Sequence, residues 1–395
     1  MKYNFDRIID RNGTFSVKWD KDFLREQFKS DDVLPLWVAD MDFQCPQPVI
    51  DALKRRAEQE IYGYSWHKTS VYLDAVSNWM RRRHEWKIDN EWIVFSPGIV
   101  PAIKMLVQTF TNIGEKVIVQ PPVYYPFFSA VENNGRILLK NQLRYENKRY
   151  TFDFEDFEKK AKDPLTKMFI LCSPHNPVGR VWTEKELRRL GDICLENNVL
   201  IISDEIHHDL ILSGYTHTLF STISEEFERN TIMCTAPSKT FNIAGLGTSN
   251  IIIPDDKLRE SFSYTISNRN SVGSPNAFGI VALIAAYNEA EEWLSQALKY
   301  IENNFKFLKE FVNERLPHVD FIDPEGTYLA WLDCNRLGMD DKKLSKFLLK
   351  KAKVALDDGI IFGPGGEGFE RINVACPKSI LEECMNRIVN ALNGR

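Results

Sequence analysis

Short apolar runs alternate with helical segments through the middle of the chain. The runs are rich in valine and isoleucine, are apolar at successive positions and end at turn residues. Strands of a parallel sheet that is covered by helices on both faces have this pattern. The predicted strands are residues 116–120, 168–172, 199–203, 231–235 and 249–253. The pattern therefore predicts an α/β fold with a mostly parallel sheet between helices.

The segment between the second and third of these strands carries a helix start signal. Thr183 and Glu186 have the spacing of a capping box, in which each side chain accepts a hydrogen bond from the backbone N–H of the other residue. The helix is expected to run to about residue 196. Strand, helix and strand together then form a βαβ unit.

The C-terminal part of the chain has a different pattern. Residues 276–315 contain few helix breakers and predict a long connecting helix, straight or bent. Residues 321–333 and the glycine-rich stretch 363–368 indicate a smaller α+β domain, on which the residues before about 45 are expected to pack. The predicted domains are a large one over residues 46–285 and a small one formed by residues 1–45 and 286–395.

Composition excludes several classes of protein. The chain has 395 residues, of which 44% are hydrophobic, and this is enough for a large core. With 50 basic and 55 acidic residues the formal net charge is -5, which favours neither nucleic acid nor an anionic membrane as a partner. The N-terminus does not resemble a signal peptide, and no window approaches the roughly 18 apolar residues of a membrane span. The seven cysteines are scattered without a CxxC pair, so we expect reduced thiols and a cytoplasmic protein.

Two charged residues follow predicted strands at the edge where open α/β sheets bind ligands. Lys239 comes a few residues after strand 231–235, and a desolvated lysine there can lose its proton and form a Schiff base with an aldehyde cofactor. Asp204 directly follows strand 199–203 and can pair with a protonated pyridine nitrogen, which keeps the ring an electron sink. An ordinary surface lysine and a helix-capping aspartate are the alternatives for each residue alone.

Four further residues are expected at the same edge. His207 and Asn176 can both meet the phenolic oxygen of such a ring, and Asn176 can also bond a substrate carboxylate. Gly98 precedes a helix whose free N–H groups would form a phosphate site, and Tyr124 can stack on a flat ring. The alternatives are a satisfied polar histidine, plain turns at Asn176 and Gly98, and core packing of the tyrosine.

Two other interpretations concern charged residues. Arg371 can hold a carboxylate through two parallel hydrogen bonds, although a structural salt bridge is the alternative. A metal cluster is a rival interpretation of a run of ligand-type residues, namely Asp204, Glu205, His207, His208 and Asp209. No second ligand cluster with useful spacing accompanies this run, so we predict no metal. A lysine, an aspartate, an amide, a phosphate turn and an aromatic ring at one sheet edge are what an aldehyde-pyridine-phosphate cofactor needs.

The order of these segments resembles the fold-type I, pyridoxal-phosphate-dependent aminotransferase-like enzymes over nearly the whole chain. More narrowly, it is similar to the MalY/PatB branch of cystathionine beta-lyases. The strings that carry the resemblance are 36–43 (LWVADMDF), 62–64 (YGY), 173–182 (SPHNPVGRVW), 204–207 (DEIH), 238–246 (SKTFNIAGL) and 325–333 (EGTYLAWLD). The resemblance implies a large domain with a mostly parallel sheet, a smaller α+β domain, and bound pyridoxal 5'-phosphate.

The resemblance also implies roles for the matching residues. Lys239, Asp204 and Tyr124 would be catalytic, as Schiff-base lysine, partner of the pyridine nitrogen and stacking ring. The implied cofactor contacts also include Gly98, Ile99 and Ser238 at the phosphate, Asn176 and His207 at the phenolic oxygen, and Tyr64 at the phosphate of a partner subunit. The implied substrate contacts are Arg371, Asn176 and Ala39. A homodimer is therefore expected.

The activity that the resemblance implies is β-elimination. L-Cystathionine or a related cysteine S-conjugate would give a thiol such as homocysteine, pyruvate and ammonia. The alternatives are an aminotransferase, or a MalY-like enzyme with an added regulatory binding role. His207 stands where aminotransferases carry tyrosine, which fits the lyase branch. Gly247 stands where they usually carry a phosphate-binding arginine, which leaves the phosphate contacts open.

Overall fold

The computed structural model describes residues 2–394. Its helices are α1 (Lys21–Phe28), α2 (Gln47–Ala57), α3 (Ser70–His84), α4 (Ile99–Phe110), α5 (Pro126–Glu132), α6 (Phe154–Ala161), α7 (Glu184–Glu196), α8 (Glu225–Arg229), α9 (Pro237–Thr240), α10 (Asp256–Tyr264), α11 (Ala277–Glu289), α12 (Glu291–Arg315), α13 (Asp341–Phe347) and α14 (Lys378–Asn393). Its strands are β1 (Leu34–Pro35), β2 (Ile93–Ser96), β3 (Lys116–Val119), β4 (Ile137–Lys140), β5 (Arg144–Glu146), β6 (Arg149–Thr151), β7 (Thr166–Cys172), β8 (Leu200–Asp204), β9 (Thr231–Thr235), β10 (Ser249–Ile252), β11 (Asp320–Ile322), β12 (Leu329–Asp333), β13 (Val354–Ala355), β14 (Asp357–Asp358) and β15 (Phe369–Asn373).

A seven-stranded sheet lies at the centre, in the order β2-β10-β9-β8-β7-β3-β4. Strands β9, β8, β7, β3 and β4 run parallel. Successive residues of one strand face opposite sides: Ile170 packs in a core with α4 and α10, whereas Phe169 packs in a core with α6 and α7. The α/β fold with a mostly parallel sheet between helices is confirmed.

The predicted βαβ unit is confirmed in detail. Helix α7 connects β7 to β8, which are adjacent and parallel. Glu186 N donates to Thr183 Oγ1 at 3.3 Å, and Thr183 N donates to Glu186 Oε2 at 2.8 Å, so both halves of the capping box are present. The unit brings the carboxyl ends of β7 and β8 side by side.

Two sequence expectations differ from the structure. Residues 249–253 were expected in the parallel set, but β10 is antiparallel to both of its neighbours, β2 and β9. The pattern was misleading because burial on both faces gives the same apolar run whatever the direction of the strand. The long helix of residues 276–315 is two helices, α11 and α12, separated by a non-helical Ala290 with φ -109° and ψ 14°. Alanine is a strong helix former, so no residue type marks this break.

A second, antiparallel sheet has the order β11-β12-β15-β14. The N-terminal segment packs beside it: β1 pairs with β13, and Asp42 N donates to Ala375 O at 2.8 Å. The domain limits at residues 45 and 285 stay predictions. Among the helices of residues 2–394, none combines the length and the apolar character that crossing a bilayer requires.

Candidate active site

A cavity of about 380 Å³ lies at the carboxyl edge of the central sheet, where it meets the second sheet and the N-terminal segment. Strands β7 and β8 end at this edge, and α4 and α9 begin there. The cavity is lined by Val17, Trp37, Val38, Ala39, Ile99, Val100, Tyr124, Tyr125, Cys172, Asn176, Asp204, Ile206, His207, Lys239, Asp357 and Arg371. Most of the residues singled out from the sequence are therefore brought together in one place.

Lys239 lies on the short helix α9, just after β9, and its amine reaches the N-terminal strip of the chain. Lys239 Nζ donates a hydrogen bond to Ala39 O at 2.6 Å. Burial lowers the pKa of this amine to about 8, and the nearby Arg371 adds to this, while Asp40 and Asp204 oppose it. An amine with this pKa is neutral in a useful fraction near physiological pH, so it can act as a nucleophile and as a base.

Asp204 is the last residue of β8, and its carboxylate is almost completely buried. One oxygen, Oδ1, accepts a hydrogen bond from Ile206 N at 3.2 Å. Burial raises the pKa of this carboxyl to about 7, and the charge of Glu205 adds to this, while the hydrogen bond from Ile206 N and the charge of Lys239 oppose it. Among residues 2–394, no ion pair includes Asp204. The geometry leaves a buried acid that lacks a cationic partner.

His207 is buried beside these two groups and lies edge-on to the ring of Tyr328, at 5.9 Å between centroids. Burial, reinforced by the positive charges of Lys239 and Arg371, holds the pKa of its ring well below the ordinary value. Its Nδ1 makes no hydrogen bond to any residue between 2 and 394. A neutral imidazole at this place can donate or accept one hydrogen bond without adding charge.

Arg371 and Asn176 are in direct contact. Arg371 Nη1 donates to Asn176 Oδ1 at 2.9 Å, and Nη2 donates to Trp37 O at 2.9 Å. The register of β14 and β15 places Asp357 opposite Arg371, and the two form an ion pair. The guanidinium also lies over the ring of Phe362, at 4.9 Å from its centroid. Four contacts therefore fix the orientation of a charged group at the cavity wall.

The cavity wall also contains an aromatic ring and a helix N-terminus. Tyr124 follows β3 and lines the cavity. Helix α4 begins at Ile99, and its N-cap residue Gly98 provides no side-chain cap. Ile99 and Val100 both line the cavity, so the unpaired N–H groups of this first turn are beside it.

Three predicted residues are not among those that line the cavity. Gly98 and Ser238 are each next to a lining residue in sequence, Ile99 and Lys239 respectively. Tyr64 is fully exposed, at 106% of its reference area, in an extended stretch outside the cavity. The contact of Tyr64 with a partner subunit stays a prediction.

Gly247, the departure from the aminotransferase pattern, has a backbone that favours glycine. Its φ is +54°, in the left-handed region. A β-carbon there would lie 3.3 Å from Pro97 O. An arginine at this position would therefore need both a strained backbone and a shift of the turn before α4.

Sequence reasoning missed three residues of this site. Trp37 and Tyr328 lie within the strings 36–43 and 325–333. These strings carry the family resemblance, but neither residue was assigned a function in the site. Tyr328 Oη donates to Ala39 O at 2.9 Å, the same oxygen that accepts from Lys239. Asp357 had no local signal, because only the pairing of β14 with β15 brings it to Arg371.

The residues weighed as metal ligands lie in three different surroundings, and Glu205 is apart from the other four, with its Oε2 2.7 Å from His217 Nε2. Asp204 and His207 face the cavity, whereas His208 and Asp209 lie in a different buried cluster with His84. The carboxylate of Asp209 accepts hydrogen bonds from Trp79 Nε1 at 3.2 Å and Thr240 Oγ1 at 2.9 Å. Residues that are neighbours in sequence therefore lie in different parts of the structure, because the chain turns immediately after β8.

Comparison with known proteins identifies the family. The family "Aminotransferase class I and II" matches residues 31–388. Cystathionine beta-lyase PatB of Bacillus subtilis is 48% identical over 390 residues, covering 99% of this chain and 100% of the relative. Protein MalY of Escherichia coli is 32% identical, covering 99% of each chain. The crystal structure of cystalysin from Treponema denticola, which contains a pyridoxal 5'-phosphate cofactor, is 42% identical with a TM-score of 0.96, covering 100% of both chains. The chain therefore belongs to the aminotransferase class I and II family, and within it to the branch of PatB and MalY that its sequence predicted.

Proposed function

We propose that this protein is a pyridoxal-phosphate-dependent carbon–sulfur β-lyase, which cleaves L-cystathionine and related cysteine S-conjugates to a thiol, pyruvate and ammonia. The observation that carries the proposal is the meeting of Lys239, Asp204 and Arg371 in one cavity. The likeness to a cystathionine beta-lyase at 48% identity over the whole chain supports the choice of reaction.

The residues present fit pyridoxal phosphate. The buried carboxyl of Asp204 has no ion-pair partner among residues 2–394, and a protonated pyridine nitrogen would supply one. The amine of Lys239 has a lowered pKa and is suited to binding an aldehyde. The first turn of α4 offers N–H groups to a phosphate, and Tyr124 offers a ring face.

These residues would hold the cofactor at separate points. Lys239 would bind its aldehyde carbon, Asp204 its ring nitrogen, and Tyr124 one face of its ring. The phosphate would be bound by the backbone of Gly98 and Ile99 and by Ser238, and the phenolic oxygen by Asn176 and His207. When bound, the cofactor supplies an electron-withdrawing ring that stabilises negative charge at the Cα atom of an amino acid.

Residues of the chain itself would bind the substrate and move its proton. Arg371, oriented by Asp357 and Asn176, would bind the α-carboxylate of the substrate. The amine of Lys239 would take the proton from Cα, and the carbonyl of Ala39 would hold the amine within reach by its hydrogen bond. Loss of that proton allows the Cβ–S bond to break, with the electron pair leaving on sulfur.

An aminotransferase needs the same proton removal, so this geometry alone does not separate the two reactions. We assign elimination because the two named relatives belong to the lyase branch and because His207 replaces tyrosine. When Cβ carries a good leaving group, its departure is faster than the return of the proton to a different atom, which is the step that amino transfer requires.

Two further proposals concern the setting of the enzyme. We propose a homodimer in which Tyr64 reaches the partner site, and the full exposure of this ring, beside Ile61, Tyr62 and Trp66, supports it. We propose a cytoplasmic setting, supported by seven cysteines that are all free thiols.

The test of the lyase assignment is product analysis with L-cystathionine in the absence of any keto acid. We expect pyruvate, ammonia and a free thiol over many turnovers, and none from the Lys239→Ala control. An aminotransferase would stop after one turnover without an acceptor. If thiol release requires added keto acid, or is absent while amino transfer is fast, the assignment is wrong and the aminotransferase stands.

A further inference from the structure

A second cavity adjoins the active-site cavity. Its volume is about 170 Å³, and it shares Trp37, Tyr125 and Asp357 with the larger one. The main cavity holds the groups proposed to act at Cα. A substituent on the sulfur of the substrate must extend away from them, and this side cavity is adjacent space of matching scale.

The side cavity contains a carboxylate without a cation. Asp357 is neutralised by Arg371, but none of the ion pairs between residues 2 and 394 includes the next residue, Asp358. Asp358 is half-buried, and its hydrogen-bond partner is Ser345. Lys342 and Lys346 border its outer side without pairing with it.

Trp37 lines both cavities, and its ring is held by stacking on Phe23 and by edge-on contact with Phe28. Its indole N–H is buried and has no hydrogen-bond partner among residues 2–394. That N–H is closed off from both cavities, so Trp37 contributes an apolar wall rather than a hydrogen-bond donor. The side cavity thus offers the carboxylate of Asp358 for a cation, and apolar walls that include Phe28 and Leu356 for the chain that carries the cation.

We propose that this side cavity is the subsite for the distal end of the S-substituent, and that Asp358 binds a primary ammonium group there. The proposal rests on the proposed lyase function and specifies its substrate class: cysteine thioethers whose sulfur carries a short chain ending in an amine. The homocysteine half of L-cystathionine has such an ammonium, three carbons from sulfur, together with a carboxylate.

Two synthetic substrates separate charge from size. S-(3-Aminopropyl)-L-cysteine places an ammonium three carbons from sulfur, and S-butyl-L-cysteine has a methyl group in its place. We expect the wild-type enzyme to cleave the amine with a kcat/KM about tenfold higher, the effect of one partly buried charge-assisted contact. In Asp358→Asn this ratio should fall to about one. Asp323→Asn, which changes an exposed carboxylate outside both cavities, should keep the ratio of the wild type.

The outcomes distinguish this proposal from the one on which it rests. If the wild type releases thiol and pyruvate from both substrates at equal kcat/KM, the ammonium subsite is wrong while the lyase stands. The same holds if Asp358→Asn keeps the preference. If the wild type releases thiol from neither substrate nor from L-cystathionine, the lyase assignment itself fails.

Discussion

Replacement of Asp204 by asparagine should stabilise the cofactor-free protein while it impairs the enzyme. Asp204 is 4% exposed and has no ion-pair partner among residues 2–394. Asparagine has the same shape and keeps an oxygen for the Ile206 N–H, but it has no charge to bury. The substitution therefore isolates the free-energy cost of the buried negative charge.

The size of the effect follows from the pKa of the carboxyl, which burial raises from 3.8 to about 7. Between these values the folded protein keeps a proton that the unfolded chain has released. Its stability consequently falls as the pH rises from about 4 to about 7, and it levels off above. At 1.36 kcal/mol per pKa unit, the full cost is about 4 kcal/mol near pH 8.

The assay is thermal unfolding of the apoprotein, wild type and Asp204→Asn, at matched concentration. The variant should have the higher Tm at about pH 8, and its advantage should shrink by roughly 2 kcal/mol near pH 5.5. Asp256→Asn, which changes an exposed carboxylate, is the control and should show no such trend. With pyridoxal phosphate bound, the advantage should decrease or reverse, because the ring nitrogen then supplies the missing cation.

Either half of this prediction can refute the reasoning. Equal Tm values of the two apoproteins at about pH 8 would show that Asp204 bears no burial cost there. Near-normal turnover of the loaded variant would show that Asp204 does not serve the ring nitrogen. The turnover result would assign the ring nitrogen to a different residue.

Three other predictions follow from named contacts. Borohydride reduction of the holoenzyme followed by peptide mapping should place the cofactor mass on Lys239, and a label on any other lysine would contradict the assignment. Arg371→Lys should raise KM by at least about tenfold, because an ammonium cannot form the two parallel hydrogen bonds that a planar guanidinium makes to a carboxylate. An unchanged KM would show that another residue binds the substrate carboxylate. Lys18→Met removes a fully buried ammonium 2.6 Å from Asp42 and should lower the free energy of unfolding by about 3 kcal/mol in urea titrations; an unchanged midpoint would show that this ion pair adds nothing.

Most parts of the site that the sequence predicted lie at the end of a recognisable strand or open a recognisable helix, whereas Arg371 lies inside β15. Lys239 and Asn176 come after β9 and β7, Asp204 ends β8, and Ile99 begins α4. Parallel strands have their carboxyl ends at one edge, so local patterns were enough to bring these residues together. Their roles came from the resemblance, since each residue type alone fits an ordinary structural use.

The parts that were missed depend on pairing between distant segments. Asp357 meets Arg371 only through the register of β14 and β15. The direction of β10 depends on how the chain returns after α9, which an apolar run does not encode. The position of Asp357 and the direction of β10 are determined by the pairing of distant segments. No local sequence pattern contains that information.

The strip of residues 37–42 shows how contacts between distant segments affect the catalytic groups. Its backbone is held by Arg371 at Trp37 O, by Asn373 at Val38 O and Asp40 O, and by Asn242 at Met41.

A cluster of charges fixes the other side of the strip, where Arg11 pairs with Asp40 and the buried Lys18 pairs with Asp42. The strip presents Ala39 O to Lys239 Nζ, and the charge of Asp40 opposes the effect of burial on the pKa of that amine. The proton affinity of the proposed catalytic base thus depends on an N-terminal segment that lies about 200 residues away in sequence. Because the same segment also carries Trp37 and Val17 into the cavity wall, a change in its packing would alter the basicity of Lys239 and the shape of the substrate site together.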